Sequence, residues 1–429
     1  MDIDFLAKLV ELDTNSDTKS NYKRCAELVR EKAEASGLET EIYNASSEGG
    51  KPLLNIVIRL DAGAEQTLLL ATHYDVVPAG EGWRHNPFNL TVEGGKAYGR
   101  GAADDKGGIL SAFSALKTLK ERGSSKVNVK LLVTCDEEVG GEQGLGFLMR
   151  KKSNGRFLID GDAAILIDAG PHVYIGSSGR ASGKVSARGS LQELVSLLSS
   201  IIDYSKERAR VISKLTSASA KRRVWGRISV TMLDISAGMV EYAKAGVKSN
   251  IIPGECRIKL RGKDETVIPG KQGHAGYPHL AKNAINLSLP LLSKAAKLSE
   301  EEGKCELVFD LRTIPEESLN SAIADFEKYI MGIYPNIELK IEEKTEGYAL
   351  SEALPFVDMM KSAAGEKRAY GELGGTDAQF FCRRRLPSIC FGPISEESNI
   401  HGKDEFVKIK DLEFVSNTLV KLCENWKNL

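Results

Sequence analysis

Three short apolar runs, each delivering acidic residues at its end, restrict this chain more than any other feature. The first is Leu68-Leu69-Leu70-Ala71, which breaks into His73-Tyr74-Asp75. The second is Val127 to Thr134, running into Asp136-Glu137-Glu138, and the third is Ala163 to Ile167, delivering Asp168. Runs this short and this apolar suit strands buried on both faces, as in a parallel or mixed sheet covered by helices. Open α/β sheets collect their ligands at the carboxyl ends of such strands. Three consecutive acids at the end of a buried strand repel one another and are unfavourable unless a cation compensates them. Taken alone, Asp136-Glu137-Glu138 reads equally well as an exposed acidic loop.

Being two apart in an extended segment, His73 and Asp75 point the same way. A carboxylate beside an imidazole fixes the tautomer and raises the basicity of the other ring nitrogen, which is what a metal ligand needs. The alternative is a strand-end histidine that merely bonds its neighbour. Downstream, Gly94-Gly95 turns a hairpin and Gly99-Arg100-Gly101 permits a tight bend. Asp104-Asp105 then precede a helix beginning near Lys106; one of the two suffices as a cap, which leaves the other available as a ligand.

The two stretches ATHYDVVPAG and GRGAADDKGG, taken together, resemble the zinc-dependent aminoacylase and carboxypeptidase family that includes acetylornithine deacetylase, succinyl-diaminopimelate desuccinylase and glutamate carboxypeptidase. The resemblance implies that Asp104 bridges two metal ions and that the peptide bond after it is cis. It further implies metal ligation by His73, Glu138, Asp168 and His401, the last in the closing motif His401-Gly402-Lys403-Asp404-Glu405. Glu137 takes the role of general base, with Asp75 beside His73. His274, in QGHAGYP, matches a histidine that reaches the substrate carbonyl, often across a dimer. The loop Gly371 to Asp377 matches a GGTDAR motif, with Gln379 in place of the arginine, so Gly374, Gly375 and Thr376 are candidate substrate contacts. Asn250 in NIIPGE and Arg312 in FDLRTIPEE are candidates for the polar end of a substrate; Arg312 reads equally as a strand-end ion pair.

Along the chain, helical spacing covers Asp4 to Leu12 and Asn21 to Ser36, the second ending at Gly37. Strands are expected at Thr40 to Tyr43 and Leu53 to Leu60, and the helix from Lys106 to Arg122 ends at Gly123. Residues 1–179 with 346–429 are expected to form a discontinuous catalytic domain. Residues 180–345, where short strands alternate with helices, are expected to form an inserted α+β lid of the ferredoxin-like β-α-β-β-α-β type that also carries a homodimer contact. The family order is broken there, because GKQGHAGYPHLAKNAIN comes after ISVTMLDISAG and NIIPGEC, so the lid looks rearranged or duplicated.

With 429 residues, a formal net charge of −1 and 27% charged residues, the chain suits two domains and carries no bulk signal for nucleic acid. The basic run Lys221-Arg222-Arg223, near Arg208 and Arg210, reads as a solvated helix face rather than a polyanion site. No apolar run reaches membrane-spanning length, and MDIDFLAKLVELD lacks a basic region ahead of an apolar stretch, so a cytoplasmic protein is expected. Seven scattered cysteines argue for reduced thiols rather than a disulfide framework. Two imidazoles and three carboxylates suit two Zn²⁺ ions, with Co²⁺ or Mn²⁺ as substitutes. The expected activity is hydrolysis of an N-acyl amino acid amide, in the manner of acetylornithine deacetylase or succinyl-diaminopimelate desuccinylase. The alternatives are a dipeptidase or carboxypeptidase acting on short peptides, and a non-catalytic scaffold relative. No GxSxG elbow or P-loop supports serine or nucleotide hydrolysis.

Overall fold

The structure is a computed structural model. It describes every residue except 48, 216–226, 277, 315–316 and 373–375, and of 209–215 the backbone only. Lys221-Arg222-Arg223, the Arg210 side chain, Gly374 and Gly375 therefore lie outside the described residues. The chain divides into two compact units: Met1–Gly176 with Leu350–Tyr370 and Thr376–Leu429, and Ser177–Ala349 with Gly371–Gly375.

In the first unit the strand Thr67–His73 lies between Asn128–Thr134 and Ala163–Leu166 and runs parallel to both. Ser388–Cys390 adds another parallel strand beyond Ala163–Leu166. On the other side Leu54–Leu60 and Glu39–Asn44 continue the sheet antiparallel, so it is mixed. Register sets His73 beside Thr134, and whatever follows these two strands leaves from one edge. Leu68, Leu70, Leu131 and Ile165 belong to a core shared with Leu9, Phe113 and Leu116 of the helices Ile3–Glu11 and Lys106–Arg122. Leu69, Val57 and Leu132, which alternate with them, are equally buried. Both faces of the sheet are covered, and each such side chain contributes about 1.5–3 kcal/mol through burial.

The helix Lys106–Arg122 places Ile109, Phe113, Leu116 and Leu119 on a buried stripe. It stops at Gly123, whose φ of +57° turns the N–H back onto the Leu119 and Lys120 carbonyls. At its start the expected carboxylate cap is absent: Asp105 occupies the cap position but its side chain makes no capping bond. Its carboxylate lies instead against Gly108, where an added Cβ would overlap Oδ1.

The second unit is built on a split β-α-β motif. Arg180–Ser190, the helix Leu191–Leu215 and Ile228–Ala237 form one half; Glu302–Arg312, the helix Leu319–Ile333 and Glu338–Thr345 form the other. Their strands lie in the order Ile228–Ala237, Glu302–Arg312, Arg180–Ser190, Glu338–Thr345, all neighbours antiparallel, which is the ferredoxin-like arrangement. The first helix extends to Leu215. The broken motif order has a simple structural counterpart. One continuous segment enters between the second and third ferredoxin-like strands and extends the sheet past Ile228–Ala237 with Val240–Ala245, Glu255–Leu260 and Thr266–Pro269. The helix Ala284–Ala296 packs on these added strands. Asn250 and His274 both belong to this insertion.

All seven cysteines are thiols outside any disulfide, six of them buried. Among the described residues no helix is long and apolar enough to cross a membrane.

Candidate metal centre

At the edge of the first unit's sheet, His73, Asp104 and Asp168 offer ligand atoms within 4.8 Å of one another, and so do Asp104, Glu138 and His401. Asp104 is common to both groups. Its Oδ1 lies 3.0 Å from His73 Nε2, and its Oδ2 lies 3.2 Å from His401 Nε2. Glu138 Oε2 is also 3.2 Å from His401 Nε2. The five side chains come from three strand ends, the turn before the helix Lys106–Arg122, and the loop before the strand Phe406–Lys408. The Asp104–Asp105 peptide bond is cis.

The protonation pattern tests whether cations fit here. His73 Nδ1 faces the Asp75 backbone oxygen at 3.0 Å, and a carbonyl only accepts, so the ring proton sits on Nδ1. Neutral His73 then presents the Nε2 lone pair to a carboxylate oxygen, an acceptor facing an acceptor. Only a proton or a metal ion between them makes that contact favourable. Without metal, burial works against charging His73, but Asp104 and Asp75 overcome it and hold the imidazole well above its ordinary range. His401 behaves alike: burial opposes its charge, yet Glu138 and Asp104 raise it to about 10. Burial would raise Asp104, and the two histidines reverse this and hold it below the carboxylate range. Glu137 moves the other way, pushed up by burial and by Asp168. A buried set with this much unmatched negative charge fits divalent cations.

Asp75 stands beside His73 as the sequence implied, its Oδ1 3.4 Å from Nδ1, and does more than that. It lies beyond the end of the strand at His73, and its carboxylate also accepts from the Glu137 N–H at 3.2 Å and the Glu138 N–H at 3.1 Å. Asp75 thereby fixes the short 3-10 turn Glu137–Val139 that presents both glutamates. The Glu137 carboxylate is 3.9 Å from His73 Nε2 and keeps 19% of its side chain exposed, so water reaches it.

Sequence reasoning treated the glycine-rich loop as a source of backbone N–H groups and gave no task to Asp377. That side chain is buried, lies against Gly141, and is pushed well above the carboxylate range by burial, with Asp168 adding to the effect. Its place directly after Thr376 was the available signal. Thr376 itself is buried, with its hydroxyl 3.7 Å from Cys390 Sγ. Gln379 Oε1 accepts from Arg383 at 2.8 Å.

The remaining candidates lie in the second unit. Arg312 makes the strand-end ion pair: Nε and Nη2 reach Asp310 at 2.6 and 3.1 Å, and Arg180 joins the same buried carboxylate at 2.9 Å. His274 pairs with Ile251 in a two-residue antiparallel ladder, and Ala275 N–H donates to the Asn250 carbonyl at 2.8 Å. His274 Nδ1 accepts from Gly276 N–H at 3.2 Å, which places the proton of the neutral ring on Nε2.

Comparison with known proteins agrees with this picture. Residues 69–425 match the profile of Peptidase family M20/M25/M40. A Methanococcus maripaludis protein described as an uncharacterized metallohydrolase is 37% identical over 400 residues, covering 86% of this chain and 83% of its own. A Gluconobacter oxydans succinyl-diaminopimelate desuccinylase is 47% identical over 87 residues, but that match spans only 20% of this chain and 23% of the enzyme. Among solved structures, an M20 family metallo-carboxypeptidase from Sulfolobus solfataricus superposes with a TM-score of 0.68 at 17% identity, covering 99% of both chains. Human carnosine dipeptidase 1 gives the same TM-score at 14% identity, covering 98% of this chain and 95% of its own. At these identities the structures speak for the fold.

Proposed function

The chain belongs to peptidase family M20/M25/M40, and on that premise we propose that it is a dinuclear metal amidohydrolase cleaving the amide bond of an N-acyl amino acid. The carrying observation is Asp104, whose two carboxylate oxygens face two different imidazoles, the buried His73 and the partly buried His401. His73, Asp104 and Asp168 would hold one ion, and Asp104, Glu138 and His401 the other. Zn²⁺ suits this nitrogen and oxygen donor set, with Co²⁺ or Mn²⁺ as substitutes. When bound, the two ions supply Lewis acidity that acidifies water and polarises a carbonyl.

The chain's own residues carry the protons. Glu137 takes one from the attacking water as its oxygen bonds to the carbonyl carbon, and delivers it to the amine nitrogen as the C–N bond breaks. Asp75 keeps Glu137 and Glu138 in register through their backbone N–H groups. His274, with its proton on Nε2, is the donor to the substrate carbonyl oxygen that the family resemblance implies. Asn250, Gly374, Gly375 and Thr376 complete the proposed substrate contacts. Arg312 is left out, because Asp310 already occupies its fork.

Desuccinylase or deacetylase chemistry is the first reading, supported by the match to the Gluconobacter enzyme. Dipeptidase or carboxypeptidase action is the second, supported by the two solved structures whose fold extends over nearly the whole chain. The proposal includes a cytoplasmic homodimer held through residues 180–345, which sedimentation would show as twice the chain mass. The deciding experiment measures amine release from N-acetyl-ornithine, N-succinyl-diaminopimelate and a dipeptide panel, alongside metal content. Two ions per chain and chelator-sensitive release from the acylated amino acids are expected. Release from dipeptides alone selects the second reading, and a stable metal-free protein that releases nothing makes the chain a scaffold.

A further inference from the structure

Beneath the metal ligands lies an ion pair that none of the roles above uses. Arg100 and Glu405 are both buried, each with 1% of its side chain exposed, and Arg100 Nη1 donates to Glu405 Oε2. Glu405 Oε1 accepts two backbone N–H groups, from Ala103 at 3.0 Å and from Asp104 at 3.1 Å. Arg100 Nη2 donates to the Gly402 carbonyl at 3.0 Å and lies 3.5 Å from that of Pro78. Three segments thus meet on one pair: the turn carrying Asp104, the loop carrying His401, and the chain leaving the strand that ends in His73.

Two features indicate that the pair serves more than packing. A fully buried ion pair commonly returns less than its desolvation takes, so stability alone is a weak reason for one here. The 399–404 loop also needs holding from outside, because Asn399, His401 and Asp404 all have left-handed backbones, with φ of +55°, +60° and +56°. The Gly402 carbonyl that Arg100 grips lies between two of them.

We propose that Arg100 and Glu405 are positioning residues for the metal centre. Glu405 fixes the backbone of Asp104 while Arg100 fixes the loop of His401, so both carboxylate oxygens of Asp104 stand opposite their imidazoles before any ion arrives. This rests on the reading of the cluster as a two-ion site. Since Asp104 is shared, disturbing the pair weakens both ions together.

The test uses full-length protein stripped by chelator, titrated with Zn²⁺ in a calorimeter and separately loaded with Co²⁺ for its visible absorption spectrum. Glu405→Gln keeps an oxygen for the two N–H groups but leaves Arg100 without its counter-charge. Arg100→Lys keeps the charge but lacks the planar fork that also reaches Gly402. Glu424→Gln removes the half-buried partner of the exposed Arg122 and serves as control. Both pair variants are expected to lose about 10–100-fold in affinity for both ions, with an altered Co²⁺ spectrum, while the control matches wild type. Affinities within about twofold of wild type together with a lower metal-free melting temperature would show a structural pair and overturn the proposal. Should Glu405→Gln not fold, Arg100→Lys decides; failure of both to fold while the control is normal overturns it equally. Wild-type protein that takes up no ion sinks the metal reading itself, a separate result.

Discussion

Replacing Asp75 with asparagine tests the logic of the centre without changing its shape. Asp75 is fully buried and gives one oxygen to the Glu137 N–H and the other to the Glu138 N–H. An asparagine has a single acceptor, so whichever way its amide faces, one of those N–H groups meets an N–H. One charge-assisted bond, about 1.5–3 kcal/mol, is lost outright, and a buried donor is left unsatisfied at a further cost of about 1–3 kcal/mol. A destabilisation of about 2.5–6 kcal/mol is therefore expected for the metal-loaded protein. At about 2 °C per kcal/mol for a unit of this size, its melting temperature falls by roughly 5–12 °C. In metal-free protein the fall is smaller, because the substitution also removes a negative charge from a group of crowded carboxylates. Zn²⁺ affinity should drop about 10–100-fold, since Glu138 loses its anchor. Differential scanning calorimetry with and without Zn²⁺ measures both effects. An Asp75→Asn protein that melts within about 1 °C of wild type in excess Zn²⁺ would refute the assignment of Asp75 as the support of the glutamate turn.

Three further outcomes follow from the same geometry. Glu137→Gln should retain two ions per chain by elemental analysis and lose roughly 10²–10⁴ in turnover; persistence of turnover would remove Glu137 as the base. His274→Ala should leave metal content unchanged and lower kcat by about 10²–10³, as loss of one donor to a developing oxyanion does. Metal-free protein should lose stability as pH rises. His73 and His401 titrate higher when folded than unfolded, and Glu137 and Asp377 do the same from the carboxylate side, so the folded chain binds more protons. Their stabilisation is complete below the unfolded pKa values and fades through the folded ones, up to about 10 for His401. Bound metal needs these ligands deprotonated, so the melting-temperature gain from Zn²⁺ should grow between about pH 5 and 8. A metal-free melting temperature that climbs over that range would contradict the protonation scheme.

Much of the first unit was legible in advance, because burial along one element leaves a period in the sequence. The runs ending at His73, Thr134 and Ile167 announce buried strands, and the stripe from Ile109 to Leu119 with Gly123 beyond it announces a helix and its stop. Such patterns also indicate which polar residues reach a sheet edge, since they stand where an apolar run ends. They carry nothing about which oxygen will face which nitrogen. The opposition of Asp104 to both His73 and His401 depends on chain segments some 300 residues apart in sequence, joined through the Arg100–Glu405 pair. No local period encodes that closure. The same limit explains the other differences. Asp75 reaches the glutamate backbone as well as His73, because its strand has already ended, and Arg312 is held by Asp310, two residues before it on the same strand. In the second unit, apparent disorder in the motifs became one insertion extending a ferredoxin-like sheet, a matter of strand neighbours that linear order does not specify. Strands, helices and strand-end acids of the first unit can be read along the chain, because each follows from side-chain burial within one element. Which of those acids share an imidazole follows from contacts between distant segments, and only the folded chain brings those together.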